Sequence, residues 1–325
     1  MLVASFPVGM MVGFWLAGRA VERRGVRPVL LAALILIALG SLGFVFGDSL
    51  STYFAARWLM GLGSGGLWIG VTFDTLERWP GQEYLCMSRI FAAYSVGGLV
   101  GPALGATGGT SGPFVAYLVL VLAAIPPVLL VREPTERRAF SSDRSALRTR
   151  GFLLAGAAVL FAYLALGLLE GVLPLHFAER LTQAEIGALY VGLSLVVATS
   201  ATAAGSQRPR SMVLGSVFLA VVGISLAGAV ADVPLWMLAL LLAALGIGIG
   251  STGSLGVLVE SVNVKRIVTA MVVWSQIGII GYLLGPLAGG LVAEGAGYAF
   301  VGVVPAAAGL LVIVLYRKRP TLTNG

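Results

Sequence analysis

Glu170 is the one carboxylate set clearly inside an apolar run, Leu166-Gly167-Leu168-Leu169-Glu170-Gly171-Val172-Leu173-Pro174. A carboxyl group among aliphatic side chains is equipped to take up and release a proton as its surroundings change. A plainer reading places it one or two turns from the end of the run, solvated there. Arg57 opens a second run, Arg57-Trp58-Leu59-Met60-Gly61-Leu62-Gly63-Ser64-Gly65-Gly66. A guanidinium inside a membrane helix costs about 2.5–3.5 kcal/mol on insertion scales, so it faces a cavity or a carboxylate, or snorkels to the surface. The third set is Gly18, Glu22, Arg23, Gly25 and Arg27 between two apolar stretches, with Asp74 near the end of the Arg57 run. Carboxylates and arginines at one level can hold two bodies together and release them on protonation; alternatively Asp74 is an ordinary helix-end acid.

None of this is bond-making chemistry. The single Cys86 excludes a disulfide framework or a cysteine metal cluster, and the single His176 a histidine-rich metal site. No Gly-Lys-Ser/Thr phosphate loop is present and no long polar stretch houses a catalytic domain, so neither an enzyme, a cofactor nor ATP-driven transport is expected of this chain.

The elements that must carry these residues are membrane helices. The chain is 58% hydrophobic and 11% charged, against about 45–50% and about 25% in soluble proteins. Eleven apolar segments stand out: 2–18, 28–46, 52–75, 87–109, 113–131, 151–173, 186–205, 211–231, 234–258, 268–291 and 297–316. Each is close to the ~20 residues that cross a bilayer as a helix, the only open-ended element that satisfies its own backbone there. The net charge of +7 would suggest nucleic acid in a soluble protein; its placement instead argues for lipid-facing loops and no nucleic acid. When the segments are threaded back and forth with Gly18–Arg27 inside, 19 of the 21 basic residues fall on the cytoplasmic face, leaving Arg180 outside and Arg57 in a helix. That asymmetry puts the amino terminus outside and the carboxyl terminus inside a cell membrane.

The spacing Gly18-x3-Glu22-Arg23-x-Gly25-x-Arg27 resembles the loop between the second and third helices of the major facilitator superfamily, with Glu22 for the usual Asp and Val26 for a basic residue. Arg57-x3-Gly61 resembles that family's fourth-helix motif, whose Arg is tied to proton coupling or substrate charge. Gly97-x3-Gly101-Pro102-x2-Gly105 resembles its fifth-helix antiporter motif, with Ala106 for the last glycine. The resemblance implies that the loop residues and Asp74 latch two helical bundles on the cytoplasmic side. It implies that Pro102 bends a helix as a hinge or seal, although generic close packing explains these glycines as well.

An internal repeat fits a two-bundle fold. Gly101-Pro102 recurs as Gly285-Pro286 at an offset of 184, Gly61 as Gly246 at 185, and Arg27-Pro-Val-Leu30 as Ser211-Met-Val-Leu214. The expected architecture is all-α and polytopic, helices 2–12 of a twelve-helix pattern, with a first helix lacking before Met1. Residues 1–131 form the amino-terminal bundle, 132–150 a solvated cytoplasmic linker, and 151–325 a six-helix bundle with a short tail. The resemblance then implies a monomeric secondary transporter, a proton-coupled exporter of drug-like or metabolite molecules. A nutrient symporter and a transport-dead fragment or membrane receptor remain the alternatives. Gln276, Trp274, Tyr94, Tyr163 and Trp68 are candidates to line a pocket, or equally to anchor helices at the interface.

Overall fold

One residue separates the first two helices. Helix α1 (Leu2–Arg24) runs on through the charged stretch, and α2 (Val26–Phe46) begins just after Gly25. Gly25 adopts φ 91°, a left-handed backbone that side chains resist, so the turn depends on glycine there. The loop expected from Gly18 to Arg27 is therefore almost all helix. Ala20, Glu22, Arg23 and Arg24 are good helix formers, and once α1 leaves the apolar layer nothing before Gly25 interrupts it.

The structure, a computed structural model, describes residues 2–107, 111–131, 144–205, 208–262 and 266–317. Within them follow α3 (Leu50–Arg78), α4 (Glu83–Thr107), α5 (Gly112–Leu129), α6 (Arg150–Gly171) and the short α7 (Leu173–Phe177). The chain continues through α8 (Gln183–Ala204), α9 (Pro209–Ala229), α10 (Val233–Ser261), α11 (Ile267–Ala296) and α12 (Val303–Arg317). Local sequence sets several starts. Ser49 and Thr149 accept hydrogen bonds from the backbone N–H groups of Thr52 and Phe152, each at 3.2 Å, and Thr182 with Glu185 forms a reciprocal capping box at α8. Residues 132–143 of the expected linker lie outside the described residues. Arg144–Arg148 form a 3₁₀ turn in which Ala146 is buried while Ser145 and Arg148 are exposed.

Eight helices among the described residues are long and apolar enough to cross a membrane. The long helices outside that set are α1, α3 and α4, which carry the charged stretch, the Arg57 glycine run and the Gly97–Gly105 motif.

Helix α3 packs between α1 and α2, with α5 on α2; α10 packs between α8 and α9 and also on α6, with α11 and α12 on α6. The two groups meet where α4 lies along α8 and α1 along α11. Close packing reveals the internal symmetry. A Cβ on Gly40 would meet Ala56 and Met60, and one on Gly223 would meet Ala239 and Ala243. Gly63 faces the Ala33 carbonyl as Gly246 faces that of Ser216, and Gly70 faces Leu30 as Gly253 faces Val213. Every one of these pairs is 183 residues apart. The sequence pairings of Gly61 with Gly246 and Leu30 with Leu214 are thus out of register: Gly61 faces α1, whereas Gly246 faces α9, the counterpart of α2. Each residue turns a helix face by about 100°, so a slip of two presents the wrong side. The offset of 184 between Gly101 and Gly285 arises because residues 262–266, before α11, are one longer than residues 79–82, before α4.

Candidate functional site: an aromatic cavity beside an embedded carboxylate

Glu170 ends α6, two turns short of the end of the α6–α7 span at Phe177. Its Oε2 accepts a hydrogen bond from the hydroxyl of Tyr282 on α11 at 2.8 Å. The pairing is set by backbone contact. Gly167 abuts the Tyr282 carbonyl and Gly171 abuts Pro286, so glycines four residues apart on α6 bracket Glu170 and receive a matching pair from α11. Glu170 keeps accessible surface while Tyr94 of α4, Tyr163 of α6 and Tyr190 of α8 stand within electrostatic reach. Tyr190 in turn donates to the carbonyl of Leu169.

Beside this carboxylate a cavity of about 370 Å³ opens between the helix groups. Its wall is aromatic: Trp68, Tyr94, Tyr117, Tyr163 and Trp274, contributed by α3, α4, α5, α6 and α11. Four of the five residues singled out in the sequence line it, and Gln276 does not. Trp274 brings an indole N–H that is buried and has no partner among the described residues, a donor available to a bound molecule. Toward the end of the helices where the basic residues gather, the cavity is shut. Trp68 Nε1 donates to Ser275 Oγ at 3.0 Å, Phe91 meets Trp274 edge-on at 6.2 Å, and Tyr84 donates to the Ala204 carbonyl at 2.9 Å. Tyr94, its ring centre 6.2 Å from that of Trp68, is 58% exposed. Sequence reading did not find Tyr117, Ser275 or Tyr282, because nothing in their spacing sets them apart from interface tyrosines and helix-packing serines.

Arg57 stands in the first half of α3 with its guanidinium 5.1 Å from the centre of the Phe6 ring, a cation–π contact, and within electrostatic reach of Tyr117 and Tyr282. Gly61, one turn on, touches the backbone of Phe6, so α1 and α3 are locked beside it. The glycines of this motif do serve close approach.

At the basic end Gly18 and Gly25 are buried, Arg23 and Arg27 exposed, and Glu22 half-buried. One Glu22 carboxylate oxygen is buried with no partner among the described residues, and burial pushes its carboxyl up against the opposing pull of Arg23 and Arg19. Asp74 is engaged by Arg78, one turn along α3, whose Nε donates to Oδ1 at 2.7 Å; the pairing with a loop arginine expected from sequence is not the contact described in this conformation. Gly97 is exposed, and a Cβ there would meet nothing among the described residues. Gly101, Pro102 and Gly105 lie on the backbone of α4, and the surroundings of their side chains fall outside the described residues. His176, the sole histidine, is packed at the far end between Trp236 and Tyr298, with ring centroids at 5.4 and 4.5 Å.

Comparison with known proteins converges on one family. The family model of the Major Facilitator Superfamily matches residues 1–206 and 155–324. The chain is 29% identical over 137 residues to "Multidrug resistance protein 2" of Bacillus subtilis, covering 41% of this chain and 34% of that protein. It is 28% identical over 280 residues to "Multidrug transporter MdfA" of Yersinia pestis, covering 77% of this chain and 68% of the relative. In fold it is similar to the human organic anion transporter MFSD10 (TETRAN), with a TM-score of 0.83 at 21% identity, covering 97% of this chain and 83% of that one.

Proposed function

The chain belongs to the Major Facilitator Superfamily, and from that premise we propose that it is a proton-coupled exporter of small drug-like or metabolite molecules. The observation that carries this reading is the aromatic cavity between the two helix groups, shut at the basic end and flanked by a single embedded carboxylate. Aromatic walls give a planar organic molecule apolar contact without fixing its outline, and a few polar atoms orient it. The likeness to proteins named as multidrug transporters supports the same substrate class.

In this mechanism residues 1–131 and 151–325 rock against each other about the α4–α8 and α1–α11 contacts. The basic end is cytoplasmic, so the conformation described here opens outward. Glu22, Arg23, Arg27 and Asp74 tie the cytoplasmic ends together, and the Asp74–Arg78 pair exchanges for a loop arginine during the cycle. Glu170 takes a proton from outside and releases it inside, which drives the substrate the other way. The protein works as a monomer in the cell membrane, with the proton as coupling ion.

Efflux from inverted membrane vesicles tests the proposal. With ethidium as probe, an imposed pH gradient should drive uptake into vesicles carrying the protein, and an uncoupler should abolish it. Equal uptake in vesicles with and without the protein, repeated with a panel of aromatic cations and neutral aromatics, overturns the exporter reading.

A further inference from the structure

The Glu170–Tyr282 pair stands outside the aromatic cavity: neither residue lines it, whereas Tyr94 and Tyr163 line it and lie next to Glu170. The proton site and the substrate site are therefore neighbours, not one site. We propose that Tyr282 is the positioning residue of the proton site, holding the Glu170 carboxylate through its hydroxyl and deciding the pH at which that carboxylate gains its proton. This rests on the reading of Glu170 as the coupling acid.

The geometry is built into both helices. On α11, Gly281 and Gly285 flank Tyr282 and abut the backbone oxygens of Leu160 and Leu164 on α6. On α6, Gly167 and Gly171 flank Glu170 and abut Tyr282 and Pro286. Four close approaches of this kind leave α6 and α11 no freedom to slide, so the 2.8 Å bond is held by the main chains. A hydrogen bond donated to a carboxylate favours its ionised form, and with the main chains held the bond is lost only when the Tyr282 ring turns away. The ionisable groups facing Glu170 are Tyr282 of α11, Tyr163 of α6, Tyr94 of α4 and Tyr190 of α8, with Arg57 of α3 reaching Tyr282 from the other helix group. Of the remaining helices packed on α6, α7 carries His176 at the far end, stacked on Tyr298, and the others carry theirs at the basic end: Arg210 on α9, Glu260 on α10, Tyr316 and Arg317 on α12. Tyr282 thus stands between the embedded acid of one helix group and the embedded base of the other. A movement that separates the groups changes the field at both.

Infrared difference spectra of the purified full chain, titrated with acid, test this without any substrate. The carboxylic C=O band that Glu170→Gln removes belongs to Glu170, and its titration midpoint is the readout. In Tyr282→Phe, which keeps the ring and drops the hydroxyl, the midpoint should move to alkaline pH by on the order of one unit. Tyr282→Gln, which restores a donor, should bring it part of the way back. An unmoved midpoint in Tyr282→Phe overturns the proposal, as does the absence of any Glu170-dependent band at every pH the protein tolerates. A midpoint that moves in a protein whose efflux ignores the pH gradient upholds the pairing and overturns the exporter reading alone.

Discussion

Trp68 on α3 and Ser275 on α11 are 207 residues apart in sequence and share a 3.0 Å hydrogen bond across the two helix groups. The indole N–H of Trp68 would otherwise be a stranded donor in the closed end of the cavity, so the bond favours the conformation in which that end is shut. Trp68→Phe should weaken closure by about 1 kcal/mol, an approximately fivefold shift toward the alternative state. Distances between spin labels at the basic ends of α1 and α10, in a Cys86→Ser background, measure it. Distributions that match those of the parent protein would show that the bond follows closure without supporting it.

Two glycines separate packing from other roles. A methyl group at Gly61 must displace the backbone of Phe6, whereas one at Gly97 meets nothing among the described residues. Gly61→Ala should cost about 1–3 kcal/mol, as overpacking does, and lower the melting temperature in detergent. Gly97→Ala should stay within about 0.5 kcal/mol of the parent. Equal melting temperatures for both variants would refute the α1–α3 contact.

Glu22 makes a pH-dependent prediction with a definite sign. Burial holds its carboxyl above the ordinary value, so it contributes stability that is complete at acid pH and lost as pH rises through the folded-state value. Glu22→Gln removes that loss. The variant should therefore melt higher than the parent at neutral pH and alike at acid pH, and the proposed latch further predicts that its transport suffers. A stability gain that is the same at both pH values would place its cause elsewhere.

Glu170→Gln should abolish gradient-driven efflux and leave downhill substrate exchange measurable, because the cavity does not include this residue. Normal dependence on the pH gradient in this variant would remove Glu170 from the coupling scheme.

Reporter fusions after residues 140 and 180 test the orientation. The basic residues at the ends of α1, α3, α9 and α12 predict a cytoplasmic signal at the first site and an external one at the second. The reverse pattern would invert the conformation assigned here from outward-open to inward-open.

That the chain is a stack of membrane helices was legible in its residues alone, because a length and polarity matched to the bilayer are local properties of each segment. The sequence also located Glu170 and Arg57, since a charge inside an apolar run is conspicuous wherever the run folds. The turn at Gly25 was legible as a position but not as a single-residue break, which depends on how far charged residues extend a helix beyond the apolar layer. The repeat was visible as glycine-rich words, and only packing brought it into register at 183, because a helix has a face and a string of letters does not. Tyr282 could not be found from sequence at all. Its importance comes from two pairs of glycines, on helices more than a hundred residues apart, that bring its hydroxyl to Glu170, and such a coincidence of faces exists only once the helices have packed.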